Sequence, residues 1–124
     1  MLTFVPSKPA SCAAVIEAIR IVREDAARLQ QRLWDNVRAL AEPLHQAGFS
    51  LPEPCGPILP IILRDNHHAL NAAARLEQRG ILARAIRPPS VPPHAARLRL
   101  TVSAAHETGE VAVATERIIE VCQP

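Results

Sequence analysis

The chain has 124 residues, a length that suits one domain and is enough to bury roughly two thirds of the unfolded surface. Hydrophobic residues make up 48% of it, but only Phe4, Trp34 and Phe49 are aromatic; the core must therefore be aliphatic, and stacking platforms for single-stranded nucleic acid are lacking. The net charge of +2 rests almost wholly on arginines spread along the chain, which argues against nucleic acid as a partner.

Cys12, Cys55 and Cys122 are odd in number and form no CxxC pair, so neither a disulfide framework nor a zinc site is expected. The opening MLTFVPSKPAS has no basic and apolar leader pattern, and no apolar run approaches the roughly 20 residues that span a bilayer. A cytoplasmic protein without a membrane partner is the expectation.

In chain order, Pro6 and Pro9 predict an extended arm over residues 1–10, with Ser11 as the cap of a helix. Val15, Ile19, Val22, Ala26, Leu29, Leu33, Val37, Leu40 and Leu44 then recur every three or four residues. They predict one long amphipathic helix over 11–47, or two joined near Pro43. Gly48 is its expected stop. The 36 residues from Cys12 to Ala47, as one continuous helix, would run on the order of 54 Å, more than this domain needs for its own core. Its first turns, CAAVIEAIRIV, are apolar nearly all round, which suits a helix covered by another chain or by a missing domain.

Residues 50–57 read as a loop and Ile58 to Leu63 as a strand. Asn66 is the expected cap of a helix over 67–79, with Leu70, Ala73, Ala74 and Leu76 facing inward and Gly80 ending it. Ile81 to Ile86 reads as a second strand. A proline-rich loop over 87–95 leads to a third, Arg97–Ser103, with Leu98, Leu100 and Val102 on one face and Arg97, Arg99, Thr101 and Ser103 on the other. A final helix over 108–122 carries Val111, Ala114, Ile118 and Val121 at helical spacing. The order α–β–α–β–β–α predicts an α+β fold: a long helix, then a two-layer domain over 56–124 with helices on one face of a three-stranded sheet.

Three runs, GPILPIIL (56–63), LEQRGILARAIRPPSVP (76–92) and ARLRLTVSAAH (96–106), resemble the C-terminal small domain of the α-oxoamine synthases, 8-amino-7-oxononanoate synthase-like members of the fold-type I pyridoxal-phosphate enzymes. The segment FVPSKPASCAAVIEAI resembles the stretch that leaves the large domain of those enzymes and begins their interdomain helix. The resemblance implies a transferase of a biotin-type pathway that condenses an acyl-CoA thioester with an amino acid and releases carbon dioxide. It implies that Arg99, seven residues before His106, pairs with the amino-acid carboxylate. A guanidinium suits that task because its planar fork grips a carboxylate with two hydrogen bonds. Ser90 would sit in a rigid loop facing the substrate.

The resemblance also marks what these residues do not offer. Lys8 is the only lysine and does not match the family's cofactor-lysine motif; nor is there a glycine-rich phosphate loop. No catalytic residue is therefore assigned, and pyridoxal phosphate, the family's cofactor, is not expected to bind this chain alone. The expected partner is a cofactor-binding large domain or companion chain, with a second copy joined through the long helix as a further expectation. Two family glycines are replaced here, by His94 in the proline loop and Arg64 after the first strand. A stand-alone amino-acid-binding or oligomerisation module without catalysis is the competing reading. Arg97 and His106 read as structural, and His67–His68 as a polar helix start without a third metal ligand.

Overall fold

The computed structural model describes residues 8–123, which divide into two compact units between Gln31 and Arg32. Six elements follow one another: α1 (Pro9–Gln46), β1 (Ile58–Arg64), α2 (Asn66–Glu77), β2 (Arg84–Ile86), β3 (Ala96–Thr101) and α3 (Thr108–Cys122). The α+β class and the element order are those expected.

The long helix starts two residues earlier than the extended arm allowed. Pro9 opens α1 and Ser11 lies inside its first turn. Proline's fixed φ is already helical, and its missing N–H costs nothing where no helical acceptor precedes it. The rest of the expected arm, residues 1–7, lies outside the described residues. Pro43 does not split the helix: it sits in the last turns, where α1 is about to end. The end itself is a Schellman turn. Gly48 takes φ +87°, its amide donates to the His45 carbonyl at 3.0 Å, and the Phe49 amide donates to Leu44 at 3.1 Å. Phe49 and Leu44 are both buried and close this corner with an apolar contact.

Within the first unit the helix is exposed almost throughout. Val15, Ile16, Ile19 and Val22 are 53–68% exposed, and the charged residues pair along the helix: Arg20 bridges Glu17 and Glu24, and Arg28 pairs with Asp25. These pairs hold the Glu17 and Asp25 carboxyls below the usual carboxylate range through hydrogen bonds from Arg20 and Arg28 respectively.

The second unit holds the core. Val37, Leu40, Ala41 and Leu44 of α1 join Leu59 and Ile61 of β1, Leu76 of α2, Leu98 and Leu100 of β3, and Val111, Ile118, Val121 and Cys122 of α3. The sheet order is β1-β3-β2, antiparallel throughout, so the arginine-bearing strand β3 is central. Pro60 falls in β1, an edge strand, where a missing amide is tolerated. The alternation along β3 and just beyond it is as read: Leu98, Leu100 and Val102 are buried, while Arg99, Thr101 and Ser103 are exposed.

In helix α2 the expectation holds for Leu76, which is buried, and for Ala73, half-buried against the core, but not for Leu70 and Ala74. The cap of α2 is Asp65, whose Oδ1 accepts the His68 amide at 2.7 Å, rather than Asn66. The inward residues are Ala69, Ala72 and Leu76; Leu70 is 41% exposed and Ala74 is exposed. A stripe of alanines lets α2 lie close on all three strands, so the larger Leu70 turns outward. The second strand is shorter than read. Ile81 is spent closing α2, its amide donating to the Leu76 carbonyl at 2.9 Å while Gly80 takes φ +79°, and Leu82 is 73% exposed; pairing with β3 begins only at Arg84. Helix α3 has the bounds expected, and its cap is Glu107, which forms a reciprocal capping box with Glu110.

Candidate functional site

Because β2 is only three residues long, the sheet is open beside the second half of β3. There a cavity of about 840 Å³ lies between the 80–82 segment, residues Arg99–Val102 and the first turns of α3. Leu100, Val111 and Ile118 form its apolar floor. Arg84, Arg99, His106, Glu110 and Arg117 supply its charged and polar walls.

Arg99 is placed by strand alternation: with Leu98 and Leu100 buried, it must point away from the core. It lies in register between Pro60 of β1 and Arg84 of β2. It is exposed and makes no hydrogen bond or ion pair among the described residues, so its fork is free for a ligand. Arg97, two residues earlier, is engaged differently: half-buried, its Nε donates to the Ala95 carbonyl at 3.1 Å, which suits the structural role expected. Ser90 is exposed in the proline loop, where its amide donates to the Arg87 carbonyl at 3.1 Å, and it is not among the residues lining the cavity. The structure therefore does not bring Ser90 and Arg99 to one wall.

His106 does line the cavity. Its Nδ1 accepts the Ser103 amide at 3.2 Å, which leaves Nε2 as the proton-bearing nitrogen of the neutral ring. The turn it closes is held from α1. Asn36, buried, donates from Nδ2 to the Ser103 carbonyl at 3.0 Å and the His106 carbonyl at 2.9 Å. Asn36 was not among the residues expected to matter. The signal was present: a helix-disfavouring Asn sits beside Val37 on the apolar stripe, where only a paired polar group survives burial. Two walls are committed elsewhere. Arg117 donates to the Arg79 carbonyl at 2.6 Å, and Glu110 accepts the Glu107 amide at 2.9 Å.

Residues 2–118 match the family model for class I and II aminotransferases. The chain belongs to that family. Within this aminotransferase family it is 42% identical over 103 residues to the 8-amino-7-oxononanoate synthase of Sodalis glossinidius, covering 83% of this chain and 26% of that protein. A solved serine palmitoyltransferase of S. paucimobilis, holding pyridoxal phosphate, superposes with a TM-score of 0.68 at 29% identity, over 73% of this chain and 23% of that one. The 8-amino-7-oxononanoate synthase of Francisella tularensis shares the fold, with a TM-score of 0.70 at 22% identity over 87% of this chain and 31% of that one. This aminotransferase-family chain thus spans about a quarter to a third of the length of such relatives.

Pyridoxal phosphate is the cofactor of the family, and the described residues do not form its seat. The cavity walls contain arginines but no lysine, and Lys8 is exposed just before α1. The starts of α2 and α3 are also closed to a phosphate, since Asp65 and the Glu107–Glu110 box already place carboxylates on their free amides. What the residues present can do is bind and orient an anionic group at Arg99.

Proposed function

We propose that this chain is the C-terminal domain of an 8-amino-7-oxononanoate synthase-like acyltransferase, in which Arg99 holds the carboxylate of the amino-acid substrate. The observation that carries the reading is the unpaired, exposed Arg99 on the wall of a cleft with an apolar floor. A bidentate guanidinium–carboxylate pair fixes the orientation of an amino acid as well as its affinity. Pyridoxal phosphate and its lysine belong, in this reading, to a cofactor domain outside these 124 residues or on a companion chain. The apolar face of Val15, Ile16, Ile19 and Val22 is the docking surface for that domain, since exposing four large aliphatic side chains on two turns is costly for a helix in water. Ser90 has a lesser part, in the rigid loop beyond the cleft.

Calorimetric titration of the chain with L-alanine and glycine tests the anchor. Binding that falls about tenfold or more in Arg99→Gln supports it, as expected for loss of hydrogen bonds to a charged group; binding unchanged by that substitution overturns it. Incubation with pyridoxal phosphate and then borohydride tests the absence of a cofactor site, and a stable adduct at Lys8 would refute it. The second reading, a stand-alone amino-acid-binding module, is favoured by one feature: all the cleft's walls come from residues 40–118 of this chain. It predicts that binding reaches full strength without any companion.

A further inference from the structure

Arg84 was not singled out by the sequence, yet it stands directly across from Arg99 in the β2–β3 register, and both line the cleft. Like charges directly opposite on neighbouring strands repel and are destabilising. No acidic residue relieves this row, because the partner on the other side of Arg99 is Pro60. Arg84, like Arg99, is exposed and makes no hydrogen bond or ion pair among the described residues. The balance of charge in the cleft walls agrees. Arg84, Arg99 and Arg117 face a single carboxylate, Glu110, which caps α3, so two positive charges are left uncompensated.

We propose that Arg84 is a second anion anchor beside Arg99, so that the cleft takes a ligand with two negative charges at one end: a dicarboxylate, or a phosphate group. Cross-strand neighbours hold their Cβ atoms about 5 Å apart, close enough for two flexible guanidinium groups to share one dianion or to grip two carboxylates of a short chain. Arg99 supplies the carboxylate contact already proposed, and this inference rests on that reading. Arg84 adds discrimination, favouring ligands whose second negative charge lies within its reach over those with one.

The test is calorimetric titration of the 124-residue chain at low ionic strength with L-alanine, acetate, succinate, L-aspartate and inorganic phosphate. The expected result is that succinate, aspartate or phosphate binds about tenfold more tightly than alanine or acetate. Arg84→Gln should erase that preference, weakening succinate, aspartate or phosphate by about tenfold and alanine by clearly less, and Arg84→Lys should restore part of it, since charge returns without the fork. Tight phosphate binding with weak succinate binding marks a phosphate seat, and the reverse marks a dicarboxylate seat. A preference unchanged in Arg84→Gln overturns the inference, as does an equal loss for singly and doubly charged ligands, or no preference in the unsubstituted chain. Failure of the Arg99 reading is distinct: Arg99→Gln would then leave alanine binding intact.

Discussion

Two residues sit where their side chains are a burden. Arg64 has φ +65° and His94 φ +61°, both in the left-handed region that glycine occupies freely. For a residue with a Cβ this conformation costs roughly 1–2 kcal/mol. Arg64 lies where the β1–β3 register shifts, between Ile62 and the turn into α2; His94 lies in the last turn before β3. These are the two positions at which the resemblance expected glycine, so the departure is one of residue and not of backbone. Arg64→Gly and His94→Gly should therefore each raise stability, by about 1 kcal/mol or less once the extra freedom of glycine in the unfolded chain is subtracted. Urea melts monitored by circular dichroism would read this, and a loss of stability in either variant contradicts the account.

The elements show what periodicity reveals and what it leaves out. The long helix, the last helix and the central strand were legible because their apolar positions repeat over many residues, and α3 has the predicted bounds. Errors gathered at the ends, where a helix start depends on which neighbouring group meets the free amides: Pro9 rather than Ser11 opens α1, and Asp65 rather than Asn66 caps α2. Strand β2 was overread because Ile81 and Leu82 are apolar for a different purpose, ending α2 and edging the cleft. For the same reason the cleft itself was not legible, since it exists where pairing stops. Arg99 could be picked out from its strand; Arg84 needed the register. Asn36 joins the elements most directly, tying α1 to the turn between β3 and α3. Asn36→Ala leaves the Ser103 carbonyl without its side-chain donor and the His106 carbonyl with only a long 3.5 Å contact from Arg32, and should cost about 1–3 kcal/mol. It should also weaken ligand binding at Arg99 by displacing His106 and the start of α3. Paired urea melts and titrations check both effects, and stability unchanged within error would show that the tie is idle.

At the scale of the whole molecule, the three thiols divide. Cys12 and Cys55 are exposed, while Cys122 is buried in the core at the end of α3. Burial pushes the Cys122 thiol up to about 11 from an ordinary 9.0, with Arg75 pulling weakly the other way. The unfolded chain therefore loses this proton first as pH rises. The stability that Cys122 contributes is complete below pH 9 and is lost between about pH 9 and 11, by up to roughly 2–3 kcal/mol. Urea midpoints should fall across that window, and Cys122→Ala should flatten the fall; an equally steep fall in the variant would assign it elsewhere.

One further consequence lies along the rims of the sheet. Strand β1 carries Pro60, which offers no amide to an incoming strand, and β2 is three residues long, beginning at Arg84 and bounded by Arg87. Both open edges are thus poor templates for a foreign backbone. A chain this aliphatic, with a bare greasy helix, is a candidate for amyloid-like stacking. Its sheet is guarded against that fate, so crowding should drive molecules together reversibly through helical surfaces and not lock them into cross-β fibres.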